Sequence, residues 1–388
     1  MTTKELKKKG KAAEAGALLA AAASGADLRY VGGRPVSFVH CSVASAASLR
    51  RALRRRLPIV AIVDKDTSDE TAWSLRGSWS AAPEADPLST VDVERLNRPL
   101  IALLLEGADA GALAPAGEGP DIVIAVRGDG DGGDVDLAVA DVAGAEAAIA
   151  EALVVLQSVT HGRGTVVPPA PGSLTDVVPF ELDGAYDMTD VVARLVDGGR
   201  TVPIARPHAA GVSTALASIG GIPVGIMASR PERDQGRLDS AEIRRIERFV
   251  RLTGALRLPL VSLVDTAGER WSDSADLLGA LRDALLAVQS PATPKCVVIT
   301  GRAYGLGAAL MGAVAARADY VVAWARADLA GRAYTEDDEL GPLATSPFAA
   351  VEAAVIHEVL EPDATRQALI DVLGSLTTVG ADEGSDGH

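Results

Sequence analysis

Apolar positions along the chain fall into two patterns. Short unbroken runs, such as IVAIV within LPIVAIVD at 57–64 and VVIT within PKCVVIT at 294–300, suit parallel strands covered on both faces. Between them, LRRALRRRL at 49–57 and the segment Ser240–Leu256 place apolar residues three and four apart, which predicts helices with one buried face. A β-rich run, a helical stretch and another buried run closing on Asp recur, so the pattern predicts α/β layers.

The same order of elements occurs twice. VGGRPVSFV at 31–39 pairs with IGGIPVGIM at 219–227, and LPIVAIVD at 57–64 with LPLVSLVD at 258–265. PLIALLL at 99–105 matches PKCVVIT, and each is followed by a small-residue loop, GADAGALA at 107–114 and GRAYGLGAAL at 301–310. DIVIAV at 121–126 then matches DYVVAW at 319–324. Five matches in one order, at offsets of 188 to 201 residues, indicate a duplicated domain. PPAPG at 168–172 reads as a linker between the halves, and the acidic stretch from Gly380 reads as a frayed tail.

Composition narrows the function classes. The 388 residues are 48% hydrophobic and 23% charged, enough to bury a core, but only 3% aromatic, so that core is built from Ala, Val, Leu and Ile. A net charge of −15 argues against nucleic acid as a partner. Two cysteines, Cys41 and Cys296, exclude a disulfide scaffold, and the chain reads as a reduced, cytoplasmic protein. The basic stretch Lys4–Lys11 followed by small apolar residues at 16–26 imitates a signal peptide. Its Ala content and Glu14 favour an amphipathic helix instead. No charge-free apolar stretch is long enough to span a bilayer.

Several familiar chemistries lack support. The histidines (40, 161, 208, 357 and 388) form no metal-ligand spacing, and neither a nucleophile elbow nor a Walker loop occurs. GDGDGGDVD at 128–136 lacks the spacing and closing Glu of a calcium loop, and Arg54, Arg55 and Arg56 fan around a helix as a solvated face. What remains are the two small-residue loops. A strand that ends in Gly and turns into a helix presents free backbone N–H groups at a positive helix end. Such groups can hold phosphate or an oxyanion developing on a thioester carbonyl. Tyr304-Gly305-Leu306-Gly307-Ala308 and Gly107–Ala112 fit that role without a side-chain catalyst. Close helix–strand packing through Gly and Ala is the competing explanation.

Longer motifs carry a family resemblance. Gly184–Asp197 (GAYDMTDVVARLVD) resembles the segment that opens the second domain of biotin-dependent acyl-CoA carboxylase β subunits. Gly220–Ala228 resembles the strand that follows it there, and Gly236–Asp239 with Arg248–Arg251 resembles the next segment. Leu258–Gly268 is similar to that family's "PLV.LVDTPG" stretch, Arg302–Met311 to its "K.YGLGA..M" stretch, and residues 346–373 to its closing stretch. Together these cover about 200 residues.

The resemblance implies an α/β fold of two duplicated crotonase-like spiral ββα domains: a degenerate first domain at 1–167, a second at 173–379, and an acidic tail at 380–388. It implies a carboxyltransferase that moves a carboxyl group from carboxybiotin, on a separate carrier protein, to the α-carbon of an acyl-CoA. The enolate would be held by the N–H groups of Leu306 and Gly307, and a second donor pair would be Gly111 and Ala112. Tyr304, Gly305 and Ala309 would line the ligand site. The implied partners are acyl-CoA, a biotin carboxylase or biotin carrier subunit, and further subunits of a homo- or hetero-oligomer, with neither nucleic acid nor membrane. The first half departs from the family: Asp64–Glu70 (DKDTSDE) stands where a glycine-rich ligand loop is expected. Ala330–Ala333 lacks that family's glycines, Ala309 replaces a substrate-choosing side chain, and Trp271 could wall the site. These departures keep two alternatives open, a non-catalytic scaffold subunit and a biotin-independent acyl-CoA decarboxylase.

Overall fold

Two parallel sheets organise the chain, each opened by an antiparallel strand pairing. The structure, a computed structural model, describes residues 26–31, 34–40, 57–63, 100–105, 122–126, 135, 137–161, 164–182, 184, 186–204, 211–270, 275–290, 293–313, 318–329 and 346–382. It divides into two compact units, Met1–Leu156 and Gln157–His388.

In the first unit, β1 (Ala26–Val31) and β2 (Arg34–His40) pair antiparallel. Then β3 (Ile59–Val63), β4 (Leu100–Leu104), β5 (Ile122–Val126) and β6 (Leu137–Val139) add in chain order, each parallel to the last. Phe38, Ile59, Ile62, Ile101, Leu103, Ile122 and Ile124 are fully buried in this sheet, as are Ile149 and Leu153 of α1 (Val142–His161). Asp141 caps that helix, its Oδ1 accepting from the Gly144 N–H at 2.8 Å. The predicted helix at 49–57 and the basic N-terminal segment lie outside the described residues.

The second unit repeats the plan with one more strand. β7 (Val202–Pro203), β8 (Val212–Ile219) and β9 (Ile222–Ser229) are antiparallel. From β9 onward, β10 (Leu260–Thr266), β11 (Lys295–Ala303), β12 (Tyr320–Trp324) and β13 (Glu358–Leu360) stack in parallel. Every residue of β9 to β12 is buried, which is why these strands read as unbroken apolar runs. The repeated motifs fall on equivalent strands, β2 with β9, β3 with β10, β4 with β11 and β5 with β12, as duplication predicts.

Helices complete the unit: α2 (Met188–Leu195), α3 (Ser240–Ala255), α4 (Ala275–Val288), α5 (Gly305–Leu310), α6 (Pro347–Glu352) and α7 (Thr365–Asp382). The helix predicted from Ser240 starts there because Asp239 and Glu242 form a reciprocal capping box. With few aromatic side chains available, Trp324 is the largest fully buried one, its indole N–H donating to Thr365 Oγ1 at 2.9 Å. Branched and small aliphatic side chains fill most of the rest of the core.

The β8–β9 turn shows how distant segments are tied together. Gly220 and Gly221 both have positive φ (58° and 77°), as a two-residue turn matched to strand twist requires. Their N–H groups donate to the Asp197 carboxylate at 3.0 and 2.7 Å. That carboxylate also accepts from Arg366 of α7 at 2.5 Å, and Arg366 reaches back to the Leu195 carbonyl. The PPAPG segment has no regular structure and is held within the second unit, Ala170 N donating to Ala193 O and Gly198 N to Pro168 O. Among the described residues no helix is long and apolar enough to cross a membrane, and no cluster of His, Cys, Asp and Glu could hold a metal.

Candidate active site

Three segments converge at the carboxyl ends of β10 and β11, the edge where parallel sheets commonly place their ligands. They are the turn Asp234–Leu238, the segment Asp265–Glu269 and the loop Ala303–Gly307. Thr266 fastens the first two: its hydroxyl donates to Gly236 O at 2.7 Å and accepts from Gly268 N at 3.1 Å. Ala267 N donates to Gln235 O, Leu238 N to Gly268 O, and Tyr304 N to Thr266 O. Asp234 and Gln235 adopt positive φ (46° and 55°), an unfavourable state for residues with side chains, and the Asp234 carboxylate is paired with Arg270 at 2.7 Å.

Glycine is required where these segments touch. A Cβ on Gly307 would lie 2.7 Å from the Gly268 carbonyl oxygen and 2.9 Å from its Cα. One on Gly236 would lie 2.4 Å from Asp265 O. Gly307 of the GLGAAL motif and Gly236 therefore set backbone approaches that no side chain permits.

That approach aims the first N–H groups of α5 at one point. Ala308 N is already used within the helix, donating to Tyr304 O at 3.1 Å. Leu306 N and Gly307 N instead converge on a single oxygen, Glu269 Oε2, at 3.0 and 3.3 Å. Two amide donors on one anionic oxygen form the arrangement that stabilises an oxyanion. Ala309, half-buried, presents only a methyl group on the same short helix. Tyr304 lies at the start of the loop and donates its hydroxyl to Asp328 at 2.6 Å. Burial and that carboxylate push its phenol well above the ordinary range.

Behind the loop lies a buried ionic cluster. Asp265, fully buried at the end of β10, accepts from Arg302 N at 3.0 Å and Arg302 Nη1 at 3.3 Å. Its other oxygen accepts from Tyr186 OH at 2.8 Å and lies 3.9 Å from Arg326 Nη1. Arg326 stacks 5.6 Å from the Tyr186 ring and donates to the carbonyls of Thr300 and Glu181. Burial raises the Asp265 carboxyl, opposed by the Arg302 N–H, the Tyr186 hydroxyl and the two guanidiniums. Burial, reinforced by the Asp265 charge, raises Tyr186 well above its normal value. A Cβ on Gly301 would meet Asp265 Oδ2 at 2.2 Å, so the buried carboxylate packs directly under the strand that delivers the loop.

Of the residues predicted from sequence, Tyr304, Gly305, Leu306, Gly307 and Ala309 are thus on one loop and short helix. Gly111, Ala112, Asp64–Glu70, Trp271 and Ala330–Ala333 lie outside the described residues. Glu269 was not anticipated, and neither was the ionic role of Tyr186, Asp265, Arg302 and Arg326. One signal was available: β10 is an apolar run broken by a single acid at its end, and a buried acid needs partners.

Known proteins are similar to about half of the chain. The methylmalonyl-CoA decarboxylase subunit alpha of Veillonella parvula is 30% identical over 224 residues, covering 53% of this chain and 44% of that protein. The propionyl-CoA carboxylase beta chain of Roseobacter denitrificans is 29% identical over 226 residues, with the same coverages. The chain thus spans less than half the length of these relatives. Over 91% of the chain the fold matches the crystal structure of transcarboxylase 12S with hydrolysed methylmalonyl-CoA bound, which it covers to 81%. There the TM-score is 0.70 at 21% sequence identity, so the crotonase-like architecture is shared. Residues 133–331, just over half of the chain and all of the segment that builds the Leu306–Gly307 donor pair, match the family described as carboxyl transferase domain, and the chain belongs to that family.

Proposed function

We propose that the chain is a carboxyltransferase subunit that acts at the α-carbon of an acyl-CoA. The observation that carries this reading is the convergence of the Leu306 and Gly307 N–H groups on one carboxylate oxygen. An enolate oxygen carries comparable charge and fits the same two donors, and stabilising it lowers the barrier to losing or gaining a carboxyl group at the α-carbon. Carboxybiotin on a separate carrier supplies the carboxyl group. Tyr304, Gly305 and Ala309 line the ligand site, where the small Ala309 leaves room for the acyl chain. Gly111 and Ala112 are the second donor pair in this proposal, which assigns residues 1–167 and 173–379 to two related domains and the chain to an oligomer. The family membership and the transcarboxylase-like fold support it.

The test is reverse transfer. Malonyl-CoA and methylmalonyl-CoA are incubated with the chain, with and without free biocytin, and the CoA esters are followed by mass spectrometry. Decarboxylation that needs biocytin is expected: the carboxyl group moves from carbon to the ureido nitrogen, and that nitrogen's proton passes to the α-carbon. Loss of CO2 without biocytin replaces this reading with a decarboxylase. No turnover at any biocytin concentration, together with full activation of a partner subunit, replaces it with a scaffold.

A further inference from the structure

The donor pair already holds an anion that belongs to the chain. Glu269 follows Gly268, whose φ of 105° turns the backbone so that the next side chain faces α5. The backbone on both sides is fixed: Gly268 O accepts from Leu238 N at 3.0 Å, and Arg270 N donates to Leu238 O at 2.7 Å. The side chain itself is only half-buried, and the two amides are the contacts shown for its carboxylate. A Cβ on Gly305 would lie 2.9 Å from Glu269 Oε2, so the glycine at 305 leaves room for the carboxylate where it sits. An anchored backbone that carries a half-buried acid into the donor pair is the geometry of a built-in competitor.

We propose that Glu269 is an internal plug: its carboxylate occupies the Leu306–Gly307 donor pair in the ligand-free chain and must swing out before a thioester oxygen can bind. This inference rests on the reading of that pair as the thioester site. A hydrogen bond to a charged acceptor is stronger than one to a neutral carbonyl. Glu269 therefore yields poorly to a neutral thioester and more readily to an oxygen that has gained enolate charge. The opening cost falls equally on ground-state and transition-state binding, so the plug weakens apparent thioester affinity in proportion to the closed fraction. It also satisfies two amides that would otherwise lack a partner at the start of α5.

The experiment compares the full chain with Glu269→Ala and Glu269→Gln. Hydrogen exchange of the Leu306 and Gly307 amides, resolved by NMR without ligand, reports whether the plug is seated. Affinities for acetyl-CoA and propionyl-CoA report whether it competes. One opening equilibrium governs both quantities, because apparent affinity scales with the open fraction, so both should change by the same factor, about tenfold for Glu269→Ala. Glu269→Gln keeps the size and loses the charge, and should fall between. Unchanged amide exchange in Glu269→Ala would overturn the plug, since the contact would then not exist in solution. Faster exchange with unchanged thioester affinity would overturn it as well, leaving Glu269 as a helix cap. Faster exchange with no thioester binding to any variant would overturn both the plug and the thioester reading, a result distinguishable from the previous one because there the thioester still binds.

Discussion

Gly307→Ala separates packing from chemistry at the loop. The new Cβ would sit 2.7 Å from the Gly268 oxygen and 2.8 Å from its carbonyl carbon, both backbone atoms that cannot rotate away. Restoring normal contact moves the two segments apart by about 0.5–1 Å. Overpacking of this kind costs about 2 kcal/mol, and the gain in helix propensity from Gly to Ala returns about 1 kcal/mol. Gly279 is the control: it lies inside α4, and a Cβ there meets nothing within 4 Å. Gly279→Ala should therefore stabilise by about 1 kcal/mol, placing the two variants about 2 kcal/mol apart for the same chemical change. Urea unfolding at equal m reads that difference. Activity should diverge further, because a shift of this size in the donor pair costs about a hundredfold. Biocytin-dependent loss of CO2 from malonyl-CoA should fall by that factor in Gly307→Ala and stay at the wild-type level in Gly279→Ala. Equal unfolding midpoints, or activity within twofold for Gly307→Ala, would refute the close-approach argument.

Asp197→Ala should be among the most damaging substitutions in the second unit. It leaves the Gly220 and Gly221 amides and the Arg366 guanidinium without their carboxylate, at a cost of about 3 kcal/mol, seen as a lower urea midpoint at constant m. Cys296 lies on the fully buried β11, and burial pushes its thiol up to about 12. Iodoacetamide at pH 8 should leave the Cys296 peptide unmodified in the folded chain and label it in urea, as read by mass spectrometry. The linkage follows the same shift: folding keeps this proton longer, so its contribution is complete below about pH 9 and is lost as pH rises towards 12.

The fold was legible because parallel strands buried on both faces leave a direct trace. β3, β4, β5, β10 and β12 are each an apolar run with turn residues at the ends, and their recurrence in order exposed the duplication. β6 and β13 were not legible: three residues with exposed or half-buried positions make no run, and parallel pairing alone defines them. At the site, the glycine-rich turn from β11 into α5 could be read because glycine spacing marks a close local backbone approach. Glu269 could not, because its carboxylate reaches amides 37 and 38 residues away and its direction depends on one backbone angle at Gly268. The Asp265 cluster was hidden for a similar reason, since Tyr186, Arg302 and Arg326 come from three separate elements.

The clamp at the β8–β9 turn bears on how the second unit is assembled during synthesis. Asp197 and its partner Arg366 are 169 positions apart, and the hairpin they fasten is made between them. On the ribosome, Gly220 and Gly221 can form their turn early and engage Asp197 at once, because all three lie within 24 positions. The guanidinium arrives only after β9 to β13 have been made, and until then the carboxylate must stay hydrated. Parallel strands likewise close only through long crossovers, so contact order is high and the nascent sheet waits with an open edge. Docking of α7 is therefore the step that turns a provisional, wet arrangement of strands into a closed one, and a ribosome stalled before Arg366 would hold a sheet whose first hairpin is formed but not yet locked.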